Sequence, residues 1–437
     1  MKRIIPSFSN FGSMSSMFTN TRTNIRTIYA RAFSSTVTTT STATKPITMY
    51  GWSMSYFSVK LECYFKLKQI PFNMKHLNIL DFSTINKKVG AHVMPVVVTT
   101  NNKWIQDTRH IIDKYEKDFP NNSIFPQTPK KHFISCLLEA WGDEFWVPMA
   151  MHYRWSFPEN EDFFRREAGN NLLPHFPKYL QNCASSGPIT TLREFLPAVG
   201  VIPAQYFMIE EWTQNMLNLL ENHFKSHDFL LGNVPTIGDF GLVGPLIPHL
   251  SRDPYPKEHI LNEQNYPHIC RWVNDMSNPR KSYEYDNAAK CDDIPNTLVP
   301  ILFHVFNEFI PMIEQMIEPV MELRDNSKFY TSKDNGMNSV HKPLPRKLRN
   351  IQFPLYFNED INSPLKYMYI KSTLPFHLYK MQTVLNGYTN MPTYDKYKIE
   401  NYLTNFDLLC TNVNYRDKIL NMKIPELDRV NVRVKFT

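Results

Sequence analysis

A proline at the start of a short apolar run is the feature that most constrains this chain. The run Val93-Met94-Pro95-Val96-Val97-Val98 has the β-branched residues of a buried strand, and Asp107-Thr108 follows at the head of a helical pattern. An X-Pro bond can be cis, which leaves the backbone N–H and C=O of the preceding residue unpaired. These groups can bind an extended peptide, and a helix N-terminus can bind its carboxylate. The sequence therefore predicts a site for a small acidic peptide.

The basic charge of the chain is concentrated at its N-terminus. Residues 1–46 hold six basic residues and no acidic ones, so the net charge of +7 leaves only +1 for the rest. A near-neutral body lacks the clustered phosphate contacts of nucleic-acid binding, and we set that class aside.

The leader is rich in Ser and Thr and ends in Arg31-Ala32-Phe33-Ser34-Ser35, which resembles a mitochondrial presequence cleaved before Ser34. We expect a mitochondrial matrix protein, or a cytoplasmic one if the leader is only a disordered tail.

Several common kinds of site lack their sequence signals. The six cysteines lie far apart, with no C-x-x-C pair and no matching histidine spacing, so neither a metal site nor a disulfide framework is expected. Neither G-x-G-x-x-G nor G-x-x-x-x-G-K-[ST] occurs, which argues against a nucleotide-binding loop. The apolar stretch 298–321 contains three glutamates and three prolines, and kinks are expected at Pro311 and Pro319. It therefore predicts a kinked helix with a polar stripe and no transmembrane segment.

The hydrophobic periodicity divides the chain after the leader into three parts. Residues 47–126 alternate strands and helices, predicted at Ile47–Trp52, Phe57–Lys68, Phe72–Leu77, Val93–Thr99, Lys103–Gln106 and Thr108–Asp118. Residues 127–289 are helical, with long apolar-faced segments at His132–Met151, Pro203–Lys225 and Ile237–Leu250. Residues 290–437 form an extension with helices at Leu298–Leu323 and Phe376–Leu385 and strands at Lys366–Ile370 and Val430–Phe436. The element order of the first part, with a proline opening its third strand, resembles the thioredoxin fold.

Three local motifs occur in an order and spacing that resemble one superfamily. Met94-Pro95 and Asp107-Thr108 fall where glutathione S-transferases have a cis-proline strand and an acidic and hydroxyl pair that holds the γ-glutamyl group. Thr236-Ile237-Gly238-Asp239 is similar to the family's buried capping box. Ser53 lies six residues before Val59, as the family's activating residue does. The resemblance implies an α/β thioredoxin-like N-terminal domain and an all-α C-terminal domain, followed here by a mixed α+β extension.

A weaker resemblance reaches beyond residues 47–279. It is to a bacterial-type branch of transferase-like proteins with a long C-terminal extension. The segments that carry it are Ala150-Met151-His152-Tyr153-Arg154-Trp155, Leu344-Pro345-Arg346, and Leu374-Pro375-Phe376 with Met381-Gln382. This likeness implies no particular substrate.

The family resemblance implies glutathione as co-substrate, whose thiol must be ionised. A hydroxyl that donates to the thiolate contributes about 1.5–3 kcal/mol and lowers the thiol pKa by about one to two units. Ser53, beside the N-terminus of the next helix, is the expected catalytic residue, with Ser55 and Tyr56 as alternatives in the same loop. The expected glutathione-binding residues are Met94, Pro95, Asp107 and Thr108. An ordinary helix cap is the alternative interpretation of the last two, and Asp is shorter than the Glu more often found there.

The electrophile is expected in a cleft between the two domains. Candidate substrate-binding residues are Tyr56, Arg154 and Trp155, although aromatic residues equally suit a core. Arg154 equally suits an ion pair with Asp143, Glu144 or another acid. Two functions stay open at this point. One is a glutathione transferase that acts on a small electrophile or peroxide, with a homodimer as a further expectation. The other is a non-catalytic transferase-like binding or assembly protein.

Overall fold

The computed structural model describes residues 46–280, 282–285, 291–325, 330–334, 337–340, 348–357, 366–409, 414–428 and 433–436. The leader and the Leu344-Pro345-Arg346 segment lie outside these residues, and the presequence stays a prediction. The described cysteines, at positions 63, 136, 183, 270 and 291, are all free. No cluster of metal-ligating side chains occurs within the described ranges.

The N-terminal part is a four-stranded sheet with three helices. Its elements are β1 (Ile47–Gly51), α1 (Tyr56–Leu67), β2 (Phe72–His76), α2 (Ile79–Val89), β3 (Val96–Val98), β4 (Trp104–Gln106) and α3 (Thr108–Asp118). The strand order is β2-β1-β3-β4, with β2 parallel to β1 and β3 antiparallel to both of its neighbours. The predicted thioredoxin-like fold is confirmed.

The second helix of this part, α2, occupies a segment for which the periodicity predicts no element. The side chain of Asn78 accepts hydrogen bonds from the N–H groups of Leu80 and Asp81, at 2.9 and 3.1 Å. In return, the Asp81 carboxylate accepts from the N–H of Asn78 at 3.1 Å. This is a capping box, which Asn and Asp three positions apart can signal in a sequence. Gly90 ends the helix with a φ of 78°, in the left-handed region that favours glycine.

The second part is helical, as predicted. Its helices are α4 (Pro129–Glu144), α5 (Val147–Trp155), α6 (Glu161–Leu172), α7 (Lys178–Phe195), α8 (Tyr206–Ser226), α9 (Ile237–Pro245), α10 (Pro254–His259) and α11 (Pro267–Ser277). The single helix expected over His132–Met151 is two helices, because Pro148 lacks the N–H that would continue α4. The predicted capping box is present: the Asp239 carboxylate accepts from the Thr236 N–H at 2.9 Å.

The extension contains helices and strands, as predicted. Its elements are α12 (Val299–His304), α13 (Ile310–Met321), β5 (Tyr330–Asp334), β6 (Met337–Val340), β7 (Asn350–Tyr356), β8 (Lys366–Ser372), α14 (Pro375–Thr389), α15 (Thr393–Leu409), α16 (Tyr415–Leu420), β9 (Glu426–Asp428) and β10 (Arg433–Phe436). A π-helical turn, Val305–Phe309, joins α12 to α13 just before the first expected proline kink. Strands β5-β6-β10-β9 form one sheet, and β7 pairs with β8 in a separate hairpin.

One stretch of helix within the described ranges, Asn296–Met321, is long and apolar enough to cross a membrane by length and composition alone. Its most apolar window is 67% buried inside the protein, and a buried core helix meets the same criterion. The carboxylate of Glu308, in its π-helical turn, accepts hydrogen bonds from Trp212 Nε1 at 2.7 Å and from the N–H of Tyr356 at 2.7 Å. This stretch therefore packs between the helical part and strand β7 of the extension.

One hydrophobic core runs through all three parts. It includes Ile47 and Val97 from the sheet, Phe145 from the helical part, and Phe353 and Leu378 from the extension. The ring of Phe145 lies 5.8 Å from that of Phe353, measured between centroids. The extension therefore packs against the N-terminal and helical parts through buried apolar contacts.

Candidate functional site

The predicted glutathione-binding residues lie at one edge of the sheet. The register aligns Tyr50 of β1 with Val96 of β3, and Val96 with Gln106 of β4. Ser53 follows this row on the first strand, Pro95 precedes it on the second, and Asp107 follows it on the third. Because adjacent strands are about 4.8 Å apart, these residues are gathered at the same end of the three strands. The structure thus brings together Ser53, Pro95 and Asp107, which the sequence separates.

The Met94-Pro95 peptide bond is cis. Strand β3 begins at Val96, and the backbone of Met94 makes no hydrogen bond to another residue that the structure describes. Pro95 is buried and Met94 is half-buried. The N–H and C=O of Met94 lie at the edge of the sheet, because strand β3 begins only at Val96. This arrangement suits pairing with the backbone of an extended ligand.

Asp107 caps helix α3 and keeps one oxygen unused. Its Oδ1 accepts hydrogen bonds from the N–H groups of Arg109 and His110, at 2.9 and 3.4 Å. Its Oδ2 is buried and has no hydrogen-bond partner within the described ranges. Thr108, the first residue of the helix, is also buried. Asp107 is therefore the helix cap that one interpretation predicted, and it also presents a buried oxygen that can accept from a ligand.

The three hydroxyl groups of the loop before α1 have different environments. Ser53 is half-buried in a turn, and its hydroxyl makes no hydrogen bond to another described residue. Ser55 caps α1 by accepting from the N–H of Ser58 at 3.4 Å. Tyr56 is buried and donates to the Gly142 carbonyl at 2.5 Å, and burial raises the pKa of this phenol. Tyr56 thus uses its hydroxyl hydrogen internally and Ser55 accepts in the helix cap, whereas the Ser53 hydroxyl makes no hydrogen bond within the described residues.

Arg154 is a buried connector between the two domains. Its Nε and Nη2 donate to the two carboxylate oxygens of Asp253, at 2.7 and 3.0 Å. Its Nη1 donates to the Met54 carbonyl at 2.8 Å, and Nη2 also donates to the Pro248 carbonyl at 2.6 Å. The acid that it pairs with is thus Asp253, and neither Asp143 nor Glu144. The guanidinium holds the loop after β1 against the helical part.

Trp155 belongs to a smaller apolar cluster beneath the same loop. The cluster also contains Trp52, Met54 and Phe164, and the rings of Trp155 and Phe164 are 4.5 Å apart. The guanidinium of Arg193 lies 5.7 Å from the Trp155 ring. Of the three residues expected to line an electrophile cleft, Tyr56, Arg154 and Trp155, all are buried, and the first two are engaged in internal hydrogen bonds.

A network of buried charges, which the sequence analysis does not anticipate, lies on helix α4. Lys60 Nζ donates to Glu139 at 2.8 Å and to Asp143 at 2.7 Å. Lys380 of α14 donates to the same Asp143 at 2.9 Å, and Arg109 pairs with Glu139. Burial opposes ionisation of Glu139, but Lys60 and Arg109 outweigh it and hold the pKa of this carboxyl well below its usual range. In the sequence, the signal for this network is Lys60, a charged residue within the apolar pattern of α1.

The charge of Lys380 links the extension to the sheet edge. Burial alone would lower the pKa of its ammonium, but Asp143 and Asp107, its two strongest acidic neighbours, outweigh burial and raise it. The positive charge of Lys380, a residue of the extension, therefore acts on Asp107, although the described structure shows no hydrogen bond between the two groups.

An open cavity of about 620 Å³ lies apart from these residues. Its lining consists of Lys130, His227, Asp293, Ile294, Pro295, Asn296, Thr297 and Tyr402. It includes none of the predicted site residues, and it does not define a place for an electrophile beside Ser53.

Comparison with protein-family models finds two matches. Residues 49–123 match the glutathione S-transferase N-terminal domain, and residues 206–279 match the glutathione S-transferase C-terminal domain. Both matched segments fall within the parts predicted from the sequence. No curated protein sequence matches the chain.

Similar solved structures cover a little over half of this chain. Glutathione transferase E6 from Drosophila melanogaster is 15% identical over 56% of this chain and 91% of its own, with a TM-score of 0.34. A beta-etherase from Sphingobium sp. strain SYK-6 is 17% identical over 56% and 98%, with a TM-score of 0.38. A tau class glutathione S-transferase from mango, Mangifera indica, is 15% identical over 57% and 97%, with a TM-score of 0.35.

Proposed function

The chain belongs to the glutathione S-transferase superfamily, and on this premise we propose that it binds glutathione at the sheet edge and ionises its thiol. The thiolate would then attack an electrophilic or peroxide substrate. The observation that carries the proposal is the buried, unpartnered Oδ2 of Asp107.

Asp107 and Thr108 are proposed to hold the γ-glutamyl end of glutathione. Leaving a buried acceptor without a partner costs about 1–3 kcal/mol, and an ammonium group of a ligand would remove that cost. The positive end of the α3 helix dipole would attract the neighbouring carboxylate of the same γ-glutamyl unit, while the N–H groups of Arg109 and His110 stay bound to Asp107 Oδ1. Because Oδ1 already caps the helix, a single aspartate can both hold the helix start in place and bind the ligand.

Met94 and Ser53 are proposed to hold the cysteinyl part. The N–H and C=O of Met94 would pair with its backbone, as in addition of a short strand to a sheet edge. The Ser53 hydroxyl would donate to the thiolate and, with the N-terminus of α1, lower the thiol pKa. Tyr56 already donates its hydroxyl hydrogen to Gly142 and Ser55 is held as the cap of α1, which favours Ser53 for this role.

A second candidate function is a non-catalytic binding or assembly protein of the same superfamily. The specific observation in its favour is the packing of Tyr56, Arg154 and Trp155, the residues expected to line an electrophile cleft. This alternative predicts a stable protein partner on pull-down, and it predicts that Ser53→Ala leaves the behaviour of the protein unchanged.

The proposal is tested by calorimetric titration of the protein with glutathione. Asp107→Asn keeps an oxygen for the helix cap but removes the negative charge, so it should weaken binding by about tenfold or more, as expected for a lost charge-assisted hydrogen bond. Ser53→Ala should keep the affinity but lose the ultraviolet absorbance of bound thiolate. Asp113→Asn, an acid on the same helix that pairs with Arg109, is the matched control and should bind as the wild type does. Absence of binding by the unmutated protein at millimolar glutathione would refute the proposal.

We also propose that residues 1–46 direct the protein to the mitochondrial matrix, on the basis of the acid-free, arginine-spaced leader. Import into isolated mitochondria followed by N-terminal sequencing should give a mature chain that begins at Ser34. A full-length protein that stays outside the organelle would contradict this proposal. The homodimer that the family resemblance implies stays a prediction, to be measured by sedimentation.

A further inference from the structure

A cysteine, a histidine and an arginine meet at the surface of helix α4. His132 and Cys136 are four residues apart on this helix, so they share one face. Arg109 Nη2 lies 3.9 Å from Cys136 Sγ, and His132 is close enough to the same thiol to lower its pKa. The Pro126 carbonyl is 3.1 Å from His132 Nδ1 and fixes the orientation of the ring. An arginine and a histidine therefore flank one sulfur atom.

The charges around Cys136 favour its thiolate. Burial raises the pKa of the thiol, but Arg109 and His132 outweigh burial and leave the pKa below its usual range. Glu139 opposes them, although Lys60 and Arg109 both pair with this carboxylate.

Asp113 is a second acid near this cluster, and it accepts a hydrogen bond from Arg109 Nε at 2.8 Å. Because this bond uses Nε, the Nη2 group of Arg109 still faces the Cys136 sulfur. At Cys63 and Cys270, the other buried or half-buried cysteines that the structure describes, burial outweighs any neighbouring cation. Burial raises the pKa of Cys63 to about 12 and that of Cys270 to about 11.

We propose that Cys136 is a site of reversible mixed-disulfide formation with small disulfides such as glutathione disulfide. The Cys136 thiolate attacks one sulfur of the disulfide, a new S–S bond forms, and the other half leaves as a thiolate that takes up a proton from solvent. The disulfide is the oxidant, and an excess of free thiol reverses the reaction. This chemistry needs no glutathione at Asp107, so it is independent of the proposed function.

Access to the sulfur requires movement of side chains only. Cys136 is 5% exposed, and its neighbours His132 and Phe125 are half-buried surface residues whose rings lie 5.8 Å apart. The Arg109 guanidinium stacks over the same Phe125 ring at 4.9 Å. Rotation of these two half-buried side chains would open a path for a small reagent to the thiol.

The experiment treats the reduced full-length protein with glutathione disulfide or the smaller, neutral 2-hydroxyethyl disulfide between about pH 6 and pH 9. Peptide mass spectrometry then follows the adduct at each cysteine. At pH 7 the adduct at Cys136 should form at least about fivefold faster than the adduct at the half-buried Cys270, because a larger fraction of Cys136 is thiolate. Cys136→Ser should lose this adduct while its glutathione affinity at Asp107 stays unchanged.

The histidine provides the decisive variant. His132→Gln should slow modification of Cys136 about fivefold at pH 7, and its rate should approach that of the wild type near pH 9. An unchanged pH profile in His132→Gln would overturn the proposal. So would the absence of a Cys136 adduct from either disulfide in the native protein, if the urea-unfolded protein does form one. The unfolding midpoint of each variant, measured in urea, shows that the comparison is made between folded proteins.

Discussion

Replacing Lys371 with methionine should change the pH dependence of folding stability. Lys371 lies in β8 and is buried, and its Nζ is 2.9 Å from His377 Nε2. The other nitrogen of this histidine, Nδ1, is 2.8 Å from Glu144 Oε2. Burial lowers the pKa of the lysine from 10.5 to about 8, although Glu144 opposes the shift. The folded protein thus holds an ammonium group in a place that disfavours its charge.

The sign and size of the effect follow from linkage. The folded-state pKa is below the unfolded one, so the charged lysine destabilises the folded state, fully below pH 8 and less as the pH rises toward 10.5. A shift of this size corresponds to about 3 kcal/mol at pH 7, of which about 2 kcal/mol is recovered by about pH 9.5. Lys371→Met removes this dependence. It also leaves His377 Nε2 without a donor, a cost of about 1–3 kcal/mol that partly offsets the gain.

The assay is urea unfolding of wild type and Lys371→Met at about pH 7, 8 and 9.5. The wild type should gain about 2 kcal/mol relative to the variant over this range. Lys366→Met, an exposed lysine at the start of the same strand, is the matched control and should show a constant difference from wild type. A constant difference for Lys371→Met as well would refute the argument, because the lysine would then carry the same charge in the folded and unfolded states.

Three further variants test the buried contacts. Arg154→Met should lower the free energy of unfolding by about 3–5 kcal/mol in urea, because Asp253 stays buried without its partner. Asp239→Ala should cost about 2–4 kcal/mol in the same assay, since its carboxylate accepts from four buried groups, two backbone N–H, a threonine hydroxyl and an indole N–H. Tyr56→Phe should cost about 1–3 kcal/mol by leaving the Gly142 carbonyl unpaired. The glutathione affinity of Tyr56→Phe, measured by calorimetry, should match that of the wild type.

The sheet edge was predictable because its signals are local in sequence. A proline before a β-branched run, an acid before a helical pattern, and a serine in the loop before another helix each specify a backbone feature within a few residues. The order of strands then gathers them at one edge. The motifs at Met94-Pro95, Asp107 and Ser53 could therefore be placed without knowledge of distant contacts.

The roles of Arg154 and Tyr56 could not be assigned in this way. The partners of Arg154 are Asp253 and the Met54 carbonyl, each about a hundred residues away along the chain. Tyr56 reaches the Gly142 carbonyl across the domain boundary, and its ring lies where a side chain on Gly244 would be. Such long-range pairs leave no periodic pattern, so the sequence allowed either a substrate wall or a core. In the structure both side chains are buried and form internal hydrogen bonds, and their predicted substrate contact stays a prediction.

The buried charges explain why the extension is an integral part of this protein. Helix α4 carries three buried carboxylates, Glu139, Asp143 and Glu144. Within the body, Lys60 and Arg109 supply two cations to them, and the extension supplies Lys380 and the His377 imidazole. A buried carboxylate without a partner costs several kcal/mol, so Asp143 and Glu144 depend on helix α14 for part of their stabilisation. Since Asp107 lies in the field of the same Lys380, the extension also contributes to the electrostatic environment of the proposed glutathione site.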